Sequence, residues 1–230
     1  MKTLSKRLKS EQQKIDKTSF YDCEKGISLV KKTASAKFNE SIEAHISLNI
    51  DPKYADQQLR TTVILPHGTG KNLRIAALVS AEKLSEAKDA GADIFGSEDL
   101  VEEISKGVLN FDLLIATADM MPKLAKLGRV LGPKGLMPSP KAGTVTSNLK
   151  STIDEFKKGK LEYRADKTGI VHISFGKADF SEEQLTENFK AFYNSVETNR
   201  PTGVKGKYVK KVTVCSTMGP SLYLDFNNFS

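Results

Sequence analysis

Apolar and polar residues alternate strictly along the segment 41–50. Ile42, Ala44, Ile46, Leu48 and Ile50 fall on one side, and Glu43, His45, Ser47 and Asn49 fall on the other. This alternation predicts a strand with one buried and one solvent-facing side, as antiparallel sheets often have. Half-polar segments at 60–65, 161–175 and 208–216 predict further strands of this kind. Helices are predicted at 23–35 and from Ser181, where Gln184 completes a capping box.

The middle of the chain has a different pattern. Segments 73–80 and 111–117 are almost continuously apolar, which predicts strands buried on both faces. Helices are predicted between and after them, at 81–90, behind Ser97 as N-cap, at about 120–127 and at 148–158. Strands that alternate with helices indicate a parallel sheet covered by helices on both faces.

The two patterns together predict an α/β protein of two domains. A discontinuous α+β sandwich domain, with an antiparallel sheet and helices, comprises residues 1–67 and 160–230. An inserted Rossmann-like three-layer α/β domain at 68–159 interrupts it.

The charge of the chain agrees with this division. Lys and Arg number 35 against 28 Asp and Glu, a formal charge of +7 with a pI near 9.2. Such a balance favours an acidic partner such as RNA, DNA or an anionic surface. Residues 68–159 contain 13 basic and 12 acidic side chains, whereas the remainder contains 22 and 16. We therefore expect the main polyanion-binding surface on the discontinuous domain.

Several classes of protein are disfavoured. Cys23 and Cys215 indicate neither a disulfide framework nor a zinc site, and they suit reduced thiols. No apolar run is long enough to cross a bilayer, and the basic N-terminus lacks the apolar core of a secretory signal. The three histidines accompany neither a nucleophile elbow nor a metal-ligand spacing, so we expect no catalytic set, metal or cofactor.

The segment HGTGK at 67–71 superficially resembles a phosphate-binding loop. It fails the Walker spacing, and Asn72 follows the lysine where Ser or Thr is needed. It lies where the two sequence patterns meet, which favours an interdomain hinge. The predicted hinge residues are His67, Gly68 and Gly70, with Gly159 at the second boundary.

The segment 127–148 contains four glycines and three prolines among basic residues. Because this many helix and strand breakers exclude regular structure, we predict a long loop with its own apolar anchors. One interpretation is a plain connector with solvated lysines. The other is a rigid cationic loop that presents Arg129, Lys134 and Lys141 to a polyanion.

The run LGRVLGPKGLMPSPKAGT within this loop resembles the signature of a ribosomal protein family, that of the large-subunit stalk protein L-one. Further segments resemble the family in the expected order: AKFNESIEAHISLNIDP (36–52), RTTVILPHGTGK (60–71), DAGAD (89–93), YRADKTG (163–169) and STMGPS (216–221). Ser41 departs from the usual threonine but keeps the hydroxyl. Lys134 stands where arginine is common, so the charge is kept and the planar fork is lost.

The resemblance implies one RNA-contact surface on the discontinuous domain. Its expected residues come from three motifs: Lys37, Phe38 and Ser41; Asp166, Lys167, Thr168, Gly169 and His172; and Ser216, Thr217, Met218 and Gly219. From pattern alone each has another explanation. Phe38 could anchor the core, the 166–169 segment could be only a hairpin turn, and the 216–221 segment could be only a connector.

The implied function is that of a structural, non-enzymatic constituent of the large ribosomal subunit, a monomer within the ribosome. It would bind 23S-type rRNA at the mobile stalk, assist movement and release of exit-site tRNA, and repress translation of its own mRNA. The ribosome would be bacterial and cytoplasmic, or that of the plastid stroma, with no membrane partner. The alternative is an enzyme that binds a nucleotide or phosphometabolite on the inserted domain, at the switch point of its sheet.

Overall fold

The computed structural model describes residues 5–16 and 19–226 of the 230-residue chain. The chain folds into two compact units. The outer unit comprises residues 1–70 and 161–230, and the inner unit comprises 71–160. Both mix helices and strands, so the chain is of the α/β type. The exact predicted domain boundaries and the Rossmann-like character of the inserted domain stay predictions.

Strands and helices are numbered in chain order over the described residues. The strands are β1 (Phe20–Tyr21), β2 (Ser41–Leu48), β3 (Arg60–Ile64), β4 (Ile75–Leu78), β5 (Ile94–Gly96), β6 (Leu113–Ala116), β7 (Lys160–Arg164), β8 (Ile170–Lys177), β9 (Val209–Ser216) and β10 (Leu222–Leu224). The helices are α1 (Lys6–Gln12), α2 (Cys23–Thr33), α3 (Leu84–Asp89), α4 (Glu98–Ser105), α5 (Met121–Ala125), α6 (Gly128–Leu131), α7 (Leu149–Lys157) and α8 (Glu182–Thr198).

The outer unit is built on a five-stranded sheet of order β1-β10-β9-β2-β8. The pairs on either side of β2 are antiparallel, as predicted. The apolar side of β2 is buried among side chains of α2 and α8, of which Ile27, Val30, Phe189 and Phe192 are completely buried. The capping box predicted at Ser181 and Gln184 starts α8. The other side of the sheet carries Glu43, His45 and their neighbours and is partly exposed; we call it the open face.

The segment 161–175 contains two half-polar stretches on either side of the 166–169 turn, a pattern that predicts a hairpin. This predicted pairing is wrong. Ala165 and Val171 form one bridge beside the turn, but β7 then pairs with β3 and β8 pairs with β2. Leu59 O accepts a hydrogen bond from Ala165 N at 2.9 Å, which continues the contact with the β3 segment. A partner about a hundred positions away in the chain has thus replaced the local one.

The inner unit contains a parallel sheet of order β5-β4-β6. All four residues of β4 are buried, which confirms the prediction of a strand covered on both sides. One apolar cluster includes residues of α4, α5 and α6, and the other includes residues of α3 and α7. Ser97 occupies the predicted N-cap position of α4, but its side chain makes no capping hydrogen bond.

The 127–148 segment is more ordered than predicted. Gly128–Leu131 forms a helical turn, since these residues precede the first proline, and Pro140–Ala142 forms a 3₁₀ turn. The expectation that no helix could form here is therefore wrong. Of the predicted apolar anchors, Leu131 is buried, and Leu136 and Met137 are partly buried against the same cluster. Val130 and Val145 are only partly buried. No helix of the described residues is long and apolar enough to span a membrane.

Candidate RNA interface

A buried carboxylate joins two of the three predicted motifs. Glu40, at the start of β2, is 1% exposed. Its Oε1 accepts a hydrogen bond from Ala36 N and its Oε2 accepts one from Met218 N, each at 2.8 Å. The loop that carries Lys37 is therefore fastened to the turn that follows β9. Burial alone would raise the pKa of Glu40, but these two bonds and the nearby Ser216 hydroxyl hold it below its ordinary value.

Thr217 adds further hydrogen bonds where the Lys37 loop meets the turn after β9; we call this meeting point the junction. Its hydroxyl accepts a hydrogen bond from Ser41 N at 3.0 Å and donates one to Ser41 O at 3.1 Å. Thr217 N also donates to Ser41 O at 3.0 Å. The hydroxyl thus extends the β2–β9 pairing by one residue. One lone pair remains for a partner outside the protein.

Arg7 belongs to this junction, although sequence reasoning treated it only as part of a charged arm. Its guanidinium donates to Met218 O at 2.8 Å and to the Ser35 hydroxyl at 3.2 Å. A guanidinium has five donors, so further donors remain after these two bonds. No signal in the sequence distinguishes Arg7 from the lysines around it, because its partner is 211 positions away.

The residues at this junction that point outward are apolar as well as basic. Phe38 is 55% exposed and Met218 is 51% exposed, and Lys37 is exposed beside Phe38. The alternative that Phe38 anchors the core is therefore wrong. Ser216, in contrast, is 1% exposed, so its predicted direct contact with RNA is wrong in this conformation. Gly219 forms the turn beside it, where an added Cβ would lie 2.3 Å from Ser216 Oγ.

The third motif is a rigid turn organised by Asp166. One carboxylate oxygen accepts from the backbone N of Thr168 and of Ile170 at 2.8 Å each, and the Thr168 hydroxyl donates to the same group. These hydrogen bonds, led by that from Ile170, lower the pKa of Asp166 to about 2. Gly169 has φ of 78°, which favours glycine, and it is buried, so it shapes the turn rather than offering a side-chain contact. Lys167 and Thr168 are exposed.

The motifs share one sheet but lie at opposite ends of β2. Ser41 pairs with Lys177 at one end of the β2–β8 ladder, and Ser47 pairs with Ile170 at the other. At about 3.3 Å per residue, the ends are about 20 Å apart. A contact surface that uses all three motifs must therefore extend along the open face.

A row of ring-bearing side chains crosses the open face between these ends. Strand register aligns Phe20 with Tyr223, Tyr223 with Thr213, Thr213 with His45, and His45 with His172. The rings of Phe20 and Tyr223 have centroids 5.9 Å apart, and those of His45 and His172 are 5.0 Å apart. Of these residues only His172 was a predicted RNA contact. We call the four ring-bearing residues Phe20, Tyr223, His45 and His172 the cross-sheet row; Thr213 lies between the two pairs.

One lysine lies beside the cross-sheet row. Lys211 Nζ is 5.5 Å from the centroid of the Tyr223 ring, on the strand next to it. His45 is neutral at neutral pH, since burial and the neighbouring His172 lower its pKa. An aromatic ring beside an exposed cation suits a base and a phosphate of single-stranded RNA.

The predicted hinge residues occupy a tight turn. Asn188 of α8 accepts from His67 N at 3.0 Å and donates to Gly68 O at 2.9 Å, so this part is held by the outer unit. Gly68, Gly70 and Gly159 all have positive φ, at 65°, 68° and 106°. A hinge in these segments stays a prediction. The predicted loop cations Arg129, Lys134 and Lys141 are exposed on the inner unit.

A family model described as "Ribosomal protein L1p/L10e family" matches residues 30–220, most of the chain. The chain belongs to the ribosomal protein L1 family. It is 60% identical to "Large ribosomal subunit protein uL1c" of Trieres chinensis over 229 residues, which is 100% of both chains. It is 62% identical to "Large ribosomal subunit protein uL1" of Prochlorococcus marinus (strain MIT 9215), over 99% of this chain and 96% of that one. It is 61% identical to "Large ribosomal subunit protein uL1c" of Guillardia theta, over 100% of this chain and 97% of that one.

Membership in the L1 family confirms the resemblance drawn from the motifs. It identifies a structural, non-enzymatic protein of the large ribosomal subunit, in a bacterial or plastid ribosome. The alternative of an enzyme acting on a nucleotide or phosphometabolite finds no support in these comparisons.

Proposed function

We propose that the protein binds a folded segment of large-subunit rRNA through the open face of its outer unit and both ends of β2. The observation that supports this best is the junction around Glu40 and Met218, where exposed Phe38 and Met218 lie on backbone held by buried polar bonds. Apolar groups that are exposed together at one place on a protein surface often mark an interaction site. Exposed Lys37 and Lys167 suit the phosphates of that partner.

In this proposal the two ends of β2 have different roles in RNA binding. Lys167 and other lysines fix the position of the RNA through its backbone, without reading its sequence. Phe38, Met218 and the cross-sheet row contact unstacked bases and sugars, which is how proteins recognise folded single-stranded RNA. Each such stacking contact contributes about 1–3 kcal/mol. Thr217 offers its remaining lone pair to a 2′-hydroxyl.

We further propose that the inner unit assists movement and release of exit-site tRNA. Its loop cations Arg129, Lys134 and Lys141 lie on a segment anchored by Leu131 and Ala142, which suits a preorganised contact with tRNA phosphates. The same outer-unit surface would bind the protein's own mRNA, if that message presents a similar fold. Repression would then follow from competition between the two RNAs.

Binding of the full-length protein to a stalk rRNA fragment tests the central proposal. Phe38→Ala should weaken binding about 5- to 100-fold, the range that corresponds to 1–3 kcal/mol. Phe95→Ala is the matched control, because Phe95 is also exposed, at 41%, but lies on the inner unit. Equal affinity of the two variants would contradict the proposal.

The tRNA and mRNA parts need separate readouts. Replacing Arg129, Lys134 and Lys141 by glutamine should slow release of exit-site tRNA from ribosomes and leave rRNA binding unchanged. Lys106→Gln, also exposed on the inner unit, serves as the control. Phe38→Ala should weaken binding of the mRNA leader and of rRNA by the same factor; different factors would argue for different sites.

A further inference from the structure

Three potential metal ligands meet on the open face, where sequence spacing gave no sign of them. Glu43 and His45 are two positions apart on β2 and therefore point to the same side. Cys215 of β9 is the direct cross-strand partner of Glu43. One ligand atom from each residue lies within 4.8 Å of the others. The contact between His45 and Cys215 joins strands that are 170 positions apart in the chain.

The distances between the three ligand atoms suit a small metal ion that binds both nitrogen and sulfur. His45 Nε2 is 3.3 Å from Cys215 Sγ. Bonds of about 2.1 Å to nitrogen and 2.3 Å to sulfur in a tetrahedral zinc site place these two atoms about 3.6 Å apart. The Glu43 side chain is flexible and partly exposed, so a rotation brings an oxygen into range. Solvent can supply the fourth ligand.

Hydrogen bonds behind His45 orient it for this role. His45 Nδ1 is 2.9 Å from His172 Nδ1, and His172 Nε2 faces Asp166 Oδ2 at 3.5 Å. When His172 is protonated on Nε2, that N–H donates to the Asp166 carboxylate. Nδ1 of His172 is then an acceptor for the Nδ1–H of His45. The lone pair of His45 Nε2 is then directed at Cys215. Metal-bound histidines usually donate their second N–H in this manner, and the outer partner fixes tautomer and ring orientation.

We propose that Glu43, His45 and Cys215 form a binding site for Zn²⁺ on the open face, with His172 as a positioning residue. On binding, a Zn–S bond replaces the thiol S–H bond, the thiol proton passes to solvent, and the ion loses part of its water shell. The thiolate and imidazole select against Mg²⁺, which prefers oxygen ligands. The ligands all come from the protein, so Zn²⁺ binding can be tested in the absence of RNA.

Titration of the reduced, full-length protein with Co²⁺, a spectroscopic substitute for Zn²⁺, tests the site. The wild type should bind one ion per chain with a sulfur-to-cobalt charge-transfer band in the near ultraviolet, and Zn²⁺ but not Mg²⁺ should displace it. Cys215→Ser should abolish the band. Cys23→Ser is the matched control, since Cys23 is the buried second cysteine on α2, and it should keep the band.

The remaining variants separate ligands from positioning. Glu43→Gln should weaken binding and retain the band, which also covers the case in which the Cys215 variant fails to fold. His172→Gln should weaken Zn²⁺ affinity about 10- to 100-fold with the band unchanged. Zn²⁺ should raise the melting temperature of the wild type but not of Cys215→Ser. A wild type without the band, a band that persists in Cys215→Ser, or equal thermal shifts in both would overturn the proposal.

Discussion

Met218 N donates a hydrogen bond to Glu40 Oε2 over 2.8 Å, although the two residues are 178 positions apart. The second oxygen of the same carboxylate accepts from Ala36 N. One buried group therefore sets the position of the Phe38 loop relative to the Met218 turn. The Met218 turn is also held by Thr217, which bonds to Ser41, and by Arg7, which donates to Met218 O.

Glu40→Gln tests this role. Glutamine keeps one acceptor oxygen but turns an NH₂ group toward a backbone N–H, so one buried donor loses its partner. We expect the free energy of unfolding to fall by about 1–3 kcal/mol, with a parallel loss of rRNA affinity. Urea denaturation and RNA binding measure the two effects. Glu103→Gln, an exposed glutamate of α4, should change neither. Unchanged stability in the Glu40 variant would mean that the two bonds contribute little.

Two carboxyl groups of the outer unit have a lowered pKa and should contribute to its acid sensitivity. Folded Glu40 and Asp166 both have a pKa below the unfolded value, and for Asp166 it is about 2 against an ordinary 3.8. Their stabilisation is therefore fully present above the unfolded pKa and is lost as pH falls through the folded pKa. The free energy of unfolding of Asp166→Asn should lie below that of the wild type at pH 7. The difference should shrink between about pH 4 and pH 2. A difference independent of pH would contradict this assignment.

The strands of the outer sheet could be predicted because local alternation reveals which side of β2 is buried. Pairing could not. The segment 161–175 reads as a hairpin, yet β7 pairs with β3, because only the complete fold brings Leu59 next to Ala165. Helix α6 was missed because glycines and prolines were counted over the whole loop, whereas Gly128–Leu131 contains no proline.

The predicted RNA contacts come from short motifs in which both the residue type and its position suit RNA, and their contact with RNA stays a prediction. Lys37, Phe38, Lys167 and Met218 are exposed as a contact surface requires. Glu40 was missed because in sequence a glutamate before a strand looks solvated, and its burial depends on the distant Met218 turn. Arg7 and Phe20 were missed for the same reason. Their partners, Met218 and Tyr223, are about two hundred positions away.

Thr217 and Met218 should separate stability from binding. Thr217→Val deletes a hydroxyl that accepts from Ser41 N and donates to Ser41 O. It should therefore lower the free energy of unfolding by about 0.5–1.5 kcal/mol per lost bond, besides weakening RNA binding. Met218→Ala removes a half-exposed side chain and should weaken binding alone. Thermal melts and filter binding on the same samples measure both. A Thr217 variant as stable as the wild type would show that the hydroxyl bridge is dispensable.

Salt dependence reports the number of phosphate contacts. The logarithm of rRNA affinity should fall linearly with the logarithm of salt concentration, with a slope of several units. Lys37→Gln and Lys167→Gln should each reduce that slope by about 1, since each removes one released counterion. Lys158→Gln, an exposed lysine just past α7, should leave it unchanged. A flat salt response of the wild type would exclude a phosphate-dominated interface.

The cross-sheet row gives the strictest test of the proposed interface, because its residues are far apart in sequence and are aligned only in the folded protein. Phe20 is 61% exposed and rests against Tyr223, at the edge of the sheet farthest from β8. If a base stacks there, Phe20→Ala should weaken rRNA binding by about 1–3 kcal/mol and Phe20→Tyr should restore it. Tyr54→Ala is the matched control, an aromatic 60% exposed on a loop of the same unit. Binding at fixed salt, with a melt on each sample, decides the matter. If Phe20→Ala and Tyr54→Ala bind alike, the RNA does not reach this edge and the interface is confined to β10, β9, β2 and β8.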